Sequence, residues 1–140
     1  MTKKYKILGK YIKDMSSETA DIETYIFVRD YISRYQLTID INSKALKDKM
    51  IEINTIMKFE DKEEGKRKSY FEINYSTIIK IDDEIKDKED LEKIILCDVQ
   101  IEVYPDMEKS LLDMIHNSGY PAVKFEKKVD FEKLYNQRSN

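Results

Sequence analysis

The stretch KMIEINTIMKFEDKEEGKRKSYFEINYSTIIKI, residues 49–81, decides the fold class, because it holds two long runs of alternating apolar and polar residues. Alternation with a period of two is typical of a β-strand that buries one face. Between the runs, acidic residues, Gly65 and then basic residues are typical of a solvated hairpin tip. The two runs are therefore predicted to be antiparallel neighbours. The residues predicted to share one face are Ile51, Ile53, Thr55, Met57 and Phe59, then Phe71, Ile73, Tyr75, Thr77, Ile79 and Ile81.

The second face of the same two runs is also partly apolar. It carries Met50 and Ile56 in the first run, and Tyr70 and Ile78 in the second. A sheet that is apolar on both sides needs two partners. One of them can be a helix, and the alternatives for the other are a loop, a second subunit or a ligand.

The flanking segments complete an α+β pattern. Residues 4–16 alternate with a break at Gly9, which predicts a bulged strand, and residues 36–41 alternate cleanly. A helix is predicted over 103–121, opening at an aromatic-proline pair, and a short helix from about Asp130. The predicted fold is α+β: a four-stranded antiparallel sheet followed by a main helix and a short C-terminal helix, in a single domain spanning residues 1–140.

The crossover TADIETYIFVRDYISRY, residues 19–35, does not show which secondary structure it forms. Tyr25, Ile26 and Arg29 have helical spacing, but apolar residues crowd all sides of the segment. Such a density of aromatic residues is unusual for a surface loop, which is normally polar.

Composition excludes several classes of protein. The chain has 140 residues, with 25 basic and 28 acidic side chains, so nucleic-acid binding is not expected. No apolar run reaches the roughly 20 residues of a membrane span, so membrane insertion is not expected either. No long apolar stretch follows the basic start, which argues against a secretory signal. With Cys97 as its one cysteine, the chain is expected to be cytoplasmic.

Catalytic, metal and cofactor sites are not expected. His116 is the single histidine and no acid is placed to orient it, while Cys97 has no partner for a metal site. The chain has three glycines and no glycine-rich nucleotide loop. The acidic run 82–84 lacks the spacing of a calcium loop. An enzymatic role built from scattered carboxylates stays open as an alternative, but no motif favours it.

Aromatic residues are the most unusual feature of the composition. Ten tyrosines and five phenylalanines, with no tryptophan, lie in the crossover, on strand edges and in the tail. One interpretation is that the tyrosines cover the rim of the core with their phenols in water. The other is a surface that binds extended apolar peptides. The residue pattern leaves both open.

Five segments, in this order along the chain, resemble the SecB export-chaperone family. The family signature Tyr-x-Lys-Asp-(Ile/Val)-Ser-x-Glu resembles Tyr11–Glu18, where Met15 stands at the Ile/Val position, and the apolar end of the second hairpin strand resembles Ile78–Ile81. The main helix of the family lies between Phe-Pro-Tyr-x-Arg and Gly-x-Phe-Pro, which resemble Tyr104–Lys109 and Gly119–Pro121. The segment Val129–Tyr135 is similar to the family's Val-Asn-Phe-x-x-Leu-(Phe/Tyr).

The resemblance implies a four-stranded antiparallel sheet with two helices. It also implies dimers that pair through their first strands, and a homo-tetramer formed as a dimer of dimers through the main helix. The implied function is an ATP-independent holdase that binds unfolded preproteins and passes them to the translocation ATPase SecA. Binding of an unfolded chain acts by mass action and needs no catalytic residue.

Two sites follow from the resemblance. The acidic sheet surface that family members present to SecA corresponds to Asp14, Glu18, Tyr70 and Glu72. The client groove, which lies in the family between the crossover and the tail helix, is expected to use Tyr25, Phe27, Tyr31, Phe125 and Phe131.

The sequence departs from the family pattern at several points. Cys97-Asp98 replaces a cysteine-proline pair, and Ser76-Thr77 replaces a glycine pair in the fourth strand. The crossover is longer and the hairpin more charged. These departures favour an alternative function: a SecB-like oligomer dedicated to a single partner, such as an unstable regulator or antitoxin, without an export role.

Overall fold

The computed structural model describes residues 4–63, 65 and 67–138. Within these residues, four strands and four helices follow one another in an order that confirms the predicted α+β class. In chain order they are β1 (Tyr5–Glu18), α1 (Ile22–Tyr31), β2 (Gln36–Ala45), β3 (Met50–Glu60), β4 (Tyr70–Ile81), α2 (Lys88–Lys93), α3 (Val99–Asn117) and α4 (Phe131–Arg138).

The strands form one antiparallel sheet in the order β1-β4-β3-β2. The predicted hairpin is confirmed, since Ile51 lies opposite Ile79 and Phe59 lies opposite Phe71. The predicted bulge at Gly9 is confirmed by a register shift between Ile7 and Gly9. A second shift, after Ile12, was not predicted from the sequence. Strands β1 and β2 are the two edges of the sheet.

One face of the sheet forms the core with α3 and with the segment Ile94–Asp98 that precedes it. The alternating residues predicted for this face are all buried, and the inward residues of α3 complete the same cluster. Each large apolar side chain removed from water in this way contributes about 1.5–3 kcal/mol. The fully buried members of this cluster include, from the sheet and then from α3, Ile53, Met57, Ile73, Ile79, Met107, Leu111 and Ile115.

The crossover, which the sequence left open, is helical. Helix α1 begins after Asp21, whose carboxylate accepts a hydrogen bond from the Thr24 backbone N–H at 2.8 Å. Hydrogen bonding from the Thr24 side chain and backbone holds the pKa of Asp21 below its ordinary value. Val28 is buried on the inner side of α1, and a short 3₁₀ turn at Ile32–Arg34 leads into β2.

The prediction that the main helix opens at Tyr104-Pro105 is wrong. Helix α3 begins at Val99 and continues from α2 through a π-helical turn at Ile94–Asp98, so that Pro105 lies inside the helix. An interior proline costs about 3 kcal/mol. Burial of Ile94, Val99 and other residues before the proline outweighs that cost.

Gln100 joins the π-helical turn to the sheet. It is 1% exposed, and its side-chain oxygen accepts a hydrogen bond from the Thr55 hydroxyl at 2.9 Å. Its side-chain N–H donates to the Ile95 carbonyl at 3.2 Å. Because both ends of this buried amide are paired, it fixes the position of α3 along β3.

The end of α3 requires a glycine. Gly119 has φ +109°, and its carbonyl accepts a hydrogen bond from the Tyr25 phenol at 2.9 Å. A Cβ at this position would lie 2.6 Å from Tyr25 Cε1. The sequence pattern that predicted a helix stop here therefore also marks a close contact between the crossover and the end of α3.

Gly119→Ala is expected to lower the free energy of unfolding by about 2 kcal/mol, through backbone strain and displacement of Tyr25. Gly9→Ala is the matched control, because no atom lies within 4 Å of the position that its Cβ would take. Its effect should stay within about 0.5 kcal/mol. Urea denaturation of both variants measures the difference, and equal stabilities would contradict the proposed contact.

Candidate functional site

An open groove of about 750 Å³ lies on the helix-covered side of the sheet, where the crossover meets the segment 122–129. The crossover and β2 form one wall, residues 122–129 form the other, and β3 contributes to the floor. Apolar side chains from these three parts of the chain line it: Ile32, Leu37, Phe59, Val123, Phe125 and Val129.

Aromatic rings support the floor of this groove. Phe59 contacts Tyr35 and Phe125 with ring centroids 5.4 Å apart in each case, and Phe71 meets Tyr120 edge-on at 5.7 Å. Edge-to-face and tilted pairs of this kind add about 0.5–1.5 kcal/mol each beyond the area they bury. The cluster thus connects the crossover, the hairpin and the segment after α3.

Ser69 satisfies the buried phenols of the cluster. Its backbone N–H donates to the Tyr35 oxygen at 2.9 Å, and its hydroxyl lies 3.0 Å from the Tyr120 hydroxyl and 2.6 Å from the Thr19 hydroxyl. Burial raises the pKa of Tyr35, although the Ser69 N–H opposes that shift. Tyr35 therefore stays a neutral structural phenol.

His116 contacts the wall of the groove that residues 122–129 form, which we call the outer wall. Its Nε2 lies 2.6 Å from the Val123 carbonyl oxygen, so this nitrogen carries the proton and donates it. Phe125, two residues further on, packs on Phe59. The one histidine of the chain is thus a structural contact for the groove.

The predicted client residues of α1 lie apart from the groove. Tyr25 is half-buried against Tyr120 and tied to Gly119. Phe27 and Tyr31 stack with centroids 4.6 Å apart, and Phe27 lines a separate crevice of about 210 Å³ next to the hairpin tip. Of the five predicted client residues, Phe125 is the one that lines the groove.

Arg34 fastens the crossover to the end of β3. Its guanidinium lies 4.5 Å from the Tyr31 ring centroid and pairs with Asp61 at 2.7 Å and Glu63 at 3.3 Å. Burial alone would raise the pKa of Asp61, but the Glu63 N–H and Arg34 outweigh it and hold that pKa below its ordinary value. Asp61 therefore remains charged while it is paired with Arg34.

Phe131 has a different position from the one expected for a client residue. It is 2% exposed and packs edge-on against Tyr104, with centroids 5.5 Å apart. It is therefore a core residue beneath the tail and presents almost no surface to a ligand. Its apolar position in a short amphipathic helix has the same sequence pattern as an exposed contact, which explains why the pattern did not distinguish the two.

The four predicted acidic-surface residues share the opposite, open face of the sheet. Glu18 lies across from Tyr70, and Ser16 lies across from Glu72, on the neighbouring strands β1 and β4. Asp14 is on the same face, and Tyr70 is 53% exposed. Glu72 also pairs with Lys58 at 3.7 Å. The structure thus brings these four residues together.

Sequence reasoning missed most of the groove lining. Leu37, Phe59 and Val123 come from three separate parts of the chain, and only the fold brings them together. The alternation of Val123 and Phe125 in an otherwise charged segment was the available signal. Such alternation predicts that a segment has one apolar side, but not which surface it faces.

Structural comparison shows the class of fold. The fold is similar to that of a SecB-like chaperone from Mycobacterium tuberculosis, solved in complex with a peptide from an antitoxin. The TM-score is 0.63 at 10% identity, over 89% of this chain and 91% of that one. The chain thus has the fold of SecB-like chaperones.

Sequence comparison then identifies the family. The profile described as "Preprotein translocase subunit SecB" matches residues 1–140. The chain is 58% identical to a "Putative protein-export protein SecB" of Pelagibacter ubique (strain HTCC1062), over the full length of both. It is 21% identical to a protein-export protein SecB of Methylocella silvestris, over 92% of this chain and 78% of that one. The protein belongs to the SecB family, and the resemblance inferred from its motifs is confirmed.

Membership of this family supports a general role as a chaperone in protein export. Within the described part of the chain, the helices are all too short or too polar to cross a bilayer.

His116→Ala is expected to loosen the outer wall of the groove, because the Val123 carbonyl loses its donor, at a cost of about 1 kcal/mol. Amide hydrogen exchange in residues 122–129 should become faster, while exchange in α3 before the histidine should be unchanged. His116→Gln, which keeps a donor, is the control and should behave more like the parent protein. Unchanged exchange of residues 122–129 in His116→Ala would contradict this role.

Proposed function

We propose that the protein is an ATP-independent holdase, which binds unfolded preproteins in the groove and delivers them to SecA. The observation that carries this proposal is the open groove lined by apolar side chains beside Phe59 and Phe125. Pockets of roughly 300–1,000 Å³ hold ligands the size of a drug or a short peptide. A groove of about 750 Å³ therefore suits a short apolar segment of a long client.

Holding a client in this way requires no chemical energy. A ligand that binds the unfolded chain and not the folded one shifts the folding equilibrium by mass action. Apolar area buried between client and groove contributes about 25 cal/mol per Å². We therefore assign no catalytic residue, cofactor or metal to this function, and we propose a cytoplasmic location for a single SecB-like domain over residues 1–140.

We extend the proposal to a homo-tetramer formed as a dimer of dimers. Strand β1 is an edge strand with several large apolar side chains between 42% and 47% exposed, and such an edge is normally covered. Pairing of β1 with its copy would cover it, and α3 would join the dimers. Several grooves on one assembly would raise the affinity for a long client. The exposed apolar side chains of β1 that this pairing would cover are Leu8, Tyr11, Ile12 and Met15.

The proposed SecA surface comprises the open-face residues Asp14, Glu18, Tyr70 and Glu72. The groove lies on the helix-covered side of the sheet, since Leu37 lies opposite Phe59, whose side chain belongs to the buried core face. The two sites are therefore on opposite faces. This arrangement supports simultaneous binding of a client and SecA, which a delivery function needs.

The second candidate function is a chaperone dedicated to one partner. It is favoured by the fold neighbour from Mycobacterium tuberculosis, which was solved with a peptide from an antitoxin. Delayed refolding of several unrelated clients, together with SecA binding, supports the export chaperone. Delay for a single partner without SecA binding supports the dedicated chaperone, and no effect on any client contradicts both.

Asp14→Arg is expected to weaken SecA binding by about tenfold or more, because it reverses a charge within the acidic surface. Delay of client refolding should be unchanged. Asp40→Arg is the matched control, with the same charge change on the same face but on the far edge strand β2. Isothermal titration with SecA and a refolding assay measure the two effects. Equal loss of both activities would contradict two separate sites.

Phe125→Ala is expected to weaken client binding by about tenfold, because it removes a ring from the groove wall and its support on Phe59. Leu134→Ala is the control, since Leu134 is 48% exposed but lies on α4, outside the residues that line the groove. Refolding of a slow-folding client in the presence of each variant is the measurement. A larger effect of Leu134→Ala would move the client site to α4.

A further inference from the structure

The outer wall of the groove carries an excess of positive charge. It is lined by Lys124, Lys127 and Lys128 together with Glu126, so this wall carries three positive charges and one negative charge. The exposed polar residues on the opposite wall, Ser33 and Gln36, are neutral. The whole chain has a formal net charge of −3, so this local balance is opposite in sign to that of the protein.

The three lysines are available to a ligand. All are exposed, and none makes a hydrogen bond or an ion pair within residues 4–63, 65 and 67–138. Other lysines of the chain pair with acids: Lys10 with Asp106, for example, and Lys109 with Asp113. The segment therefore keeps its positive charge uncompensated, apart from Glu126 within it.

The apolar and charged parts of the groove lie side by side. Val123, Phe125 and Val129 alternate with or flank the lysines in one short segment, so a chain lying against the apolar side chains passes within reach of the ammonium groups. The long apolar stems of lysine can lie along such a surface while their charges stay in water. An acidic side chain next to an apolar client residue would meet an ammonium group there.

We propose that the groove selects extended apolar segments that carry aspartate or glutamate beside their apolar residues, through Lys124, Lys127 and Lys128. This inference rests on the proposed function, because it needs the groove to be the client site. The lysines add little to the affinity of a neutral segment and disfavour a segment with basic flanks. Selection by charge then adds to the sequence-tolerant binding by the apolar wall.

The test uses the full chain and three fluorescent peptides of about ten residues, long enough to span the groove in an extended form. All share one apolar core, and their flanks are aspartate, serine or lysine. Binding is measured by anisotropy at roughly 0.05 M and 0.5 M salt, since screening removes exposed ion pairs at the higher concentration. At low salt, the acidic peptide should bind about tenfold more tightly than the basic one, and the difference should shrink at high salt.

The variant that tests the assignment combines Lys124→Gln, Lys127→Gln and Lys128→Gln. It should bind the three peptides with similar affinities, and the affinity of the serine peptide should change by less than about twofold. The control combines Lys86→Gln, Lys88→Gln and Lys93→Gln, which removes the same charge from α2 and the segment before it. This control should keep the preference of the parent protein.

Other binding results would distinguish a failure of the charge preference from a failure of the proposed groove. Binding of all three peptides with equal affinity would overturn the charge preference and leave the proposed groove intact. Equal loss of preference in both triple variants would also overturn it, because net charge and not the groove would then be responsible. Failure of all three peptides to bind would overturn the proposed function together with this inference.

Discussion

The groove depends on the ring contacts of one side chain, Phe59, near the end of β3. Helix α3 covers most of the inner face but ends at Asn117, before the rung where Phe59 lies opposite Phe71. Beyond the end of α3, Tyr35 from the crossover packs on Phe59, and Tyr120 packs on Phe71. Phe125 also packs on Phe59. Because Tyr35 and Phe125 belong to opposite walls of the groove and both contact Phe59, this ring connects the two walls. The apolar surface remains open between them and is not filled by a continued helix.

The sheet keeps the two proposed binding surfaces apart. Period-two alternation sends Phe59 and Phe71 to the side of the helices, and sends Tyr70 and Glu72 to the open side. A single backbone thus supports an apolar groove on one face and an acidic surface on the other. The family supplies the general role in protein export. The proposed client site and the proposed SecA site would then lie on opposite faces of the sheet.

Much of the fold could be predicted from the sequence, because periodicity reports local structure directly. The hairpin of β3 and β4, its inner face, the bulge at Gly9 and the tail helix follow from alternation, turn residues and helical spacing. The position of Pro105 inside a helix and the helical structure of the crossover could not be predicted in this way. Burial against the sheet decides both and outweighs local propensity. The acidic surface was expected from the family resemblance, and period two agrees with it in placing Tyr70 and Glu72 on one strand face. The groove could not, because Leu37, Val123 and Phe125 meet only through tertiary packing, and because Phe131 has the sequence pattern of an exposed ring although it is buried.

Site-specific photocrosslinking is the most direct measurement of the central claim, that an unfolded chain lies against the wall formed by residues 122–129. A photoreactive amino acid is placed at position 125, and the protein is illuminated while a slow-folding client refolds. The account predicts crosslinks to the unfolded client and none to the same client once folded. Equal crosslinking to the folded client, or crosslinking of the unfolded client from position 72 on the open face but not from position 125, would contradict it.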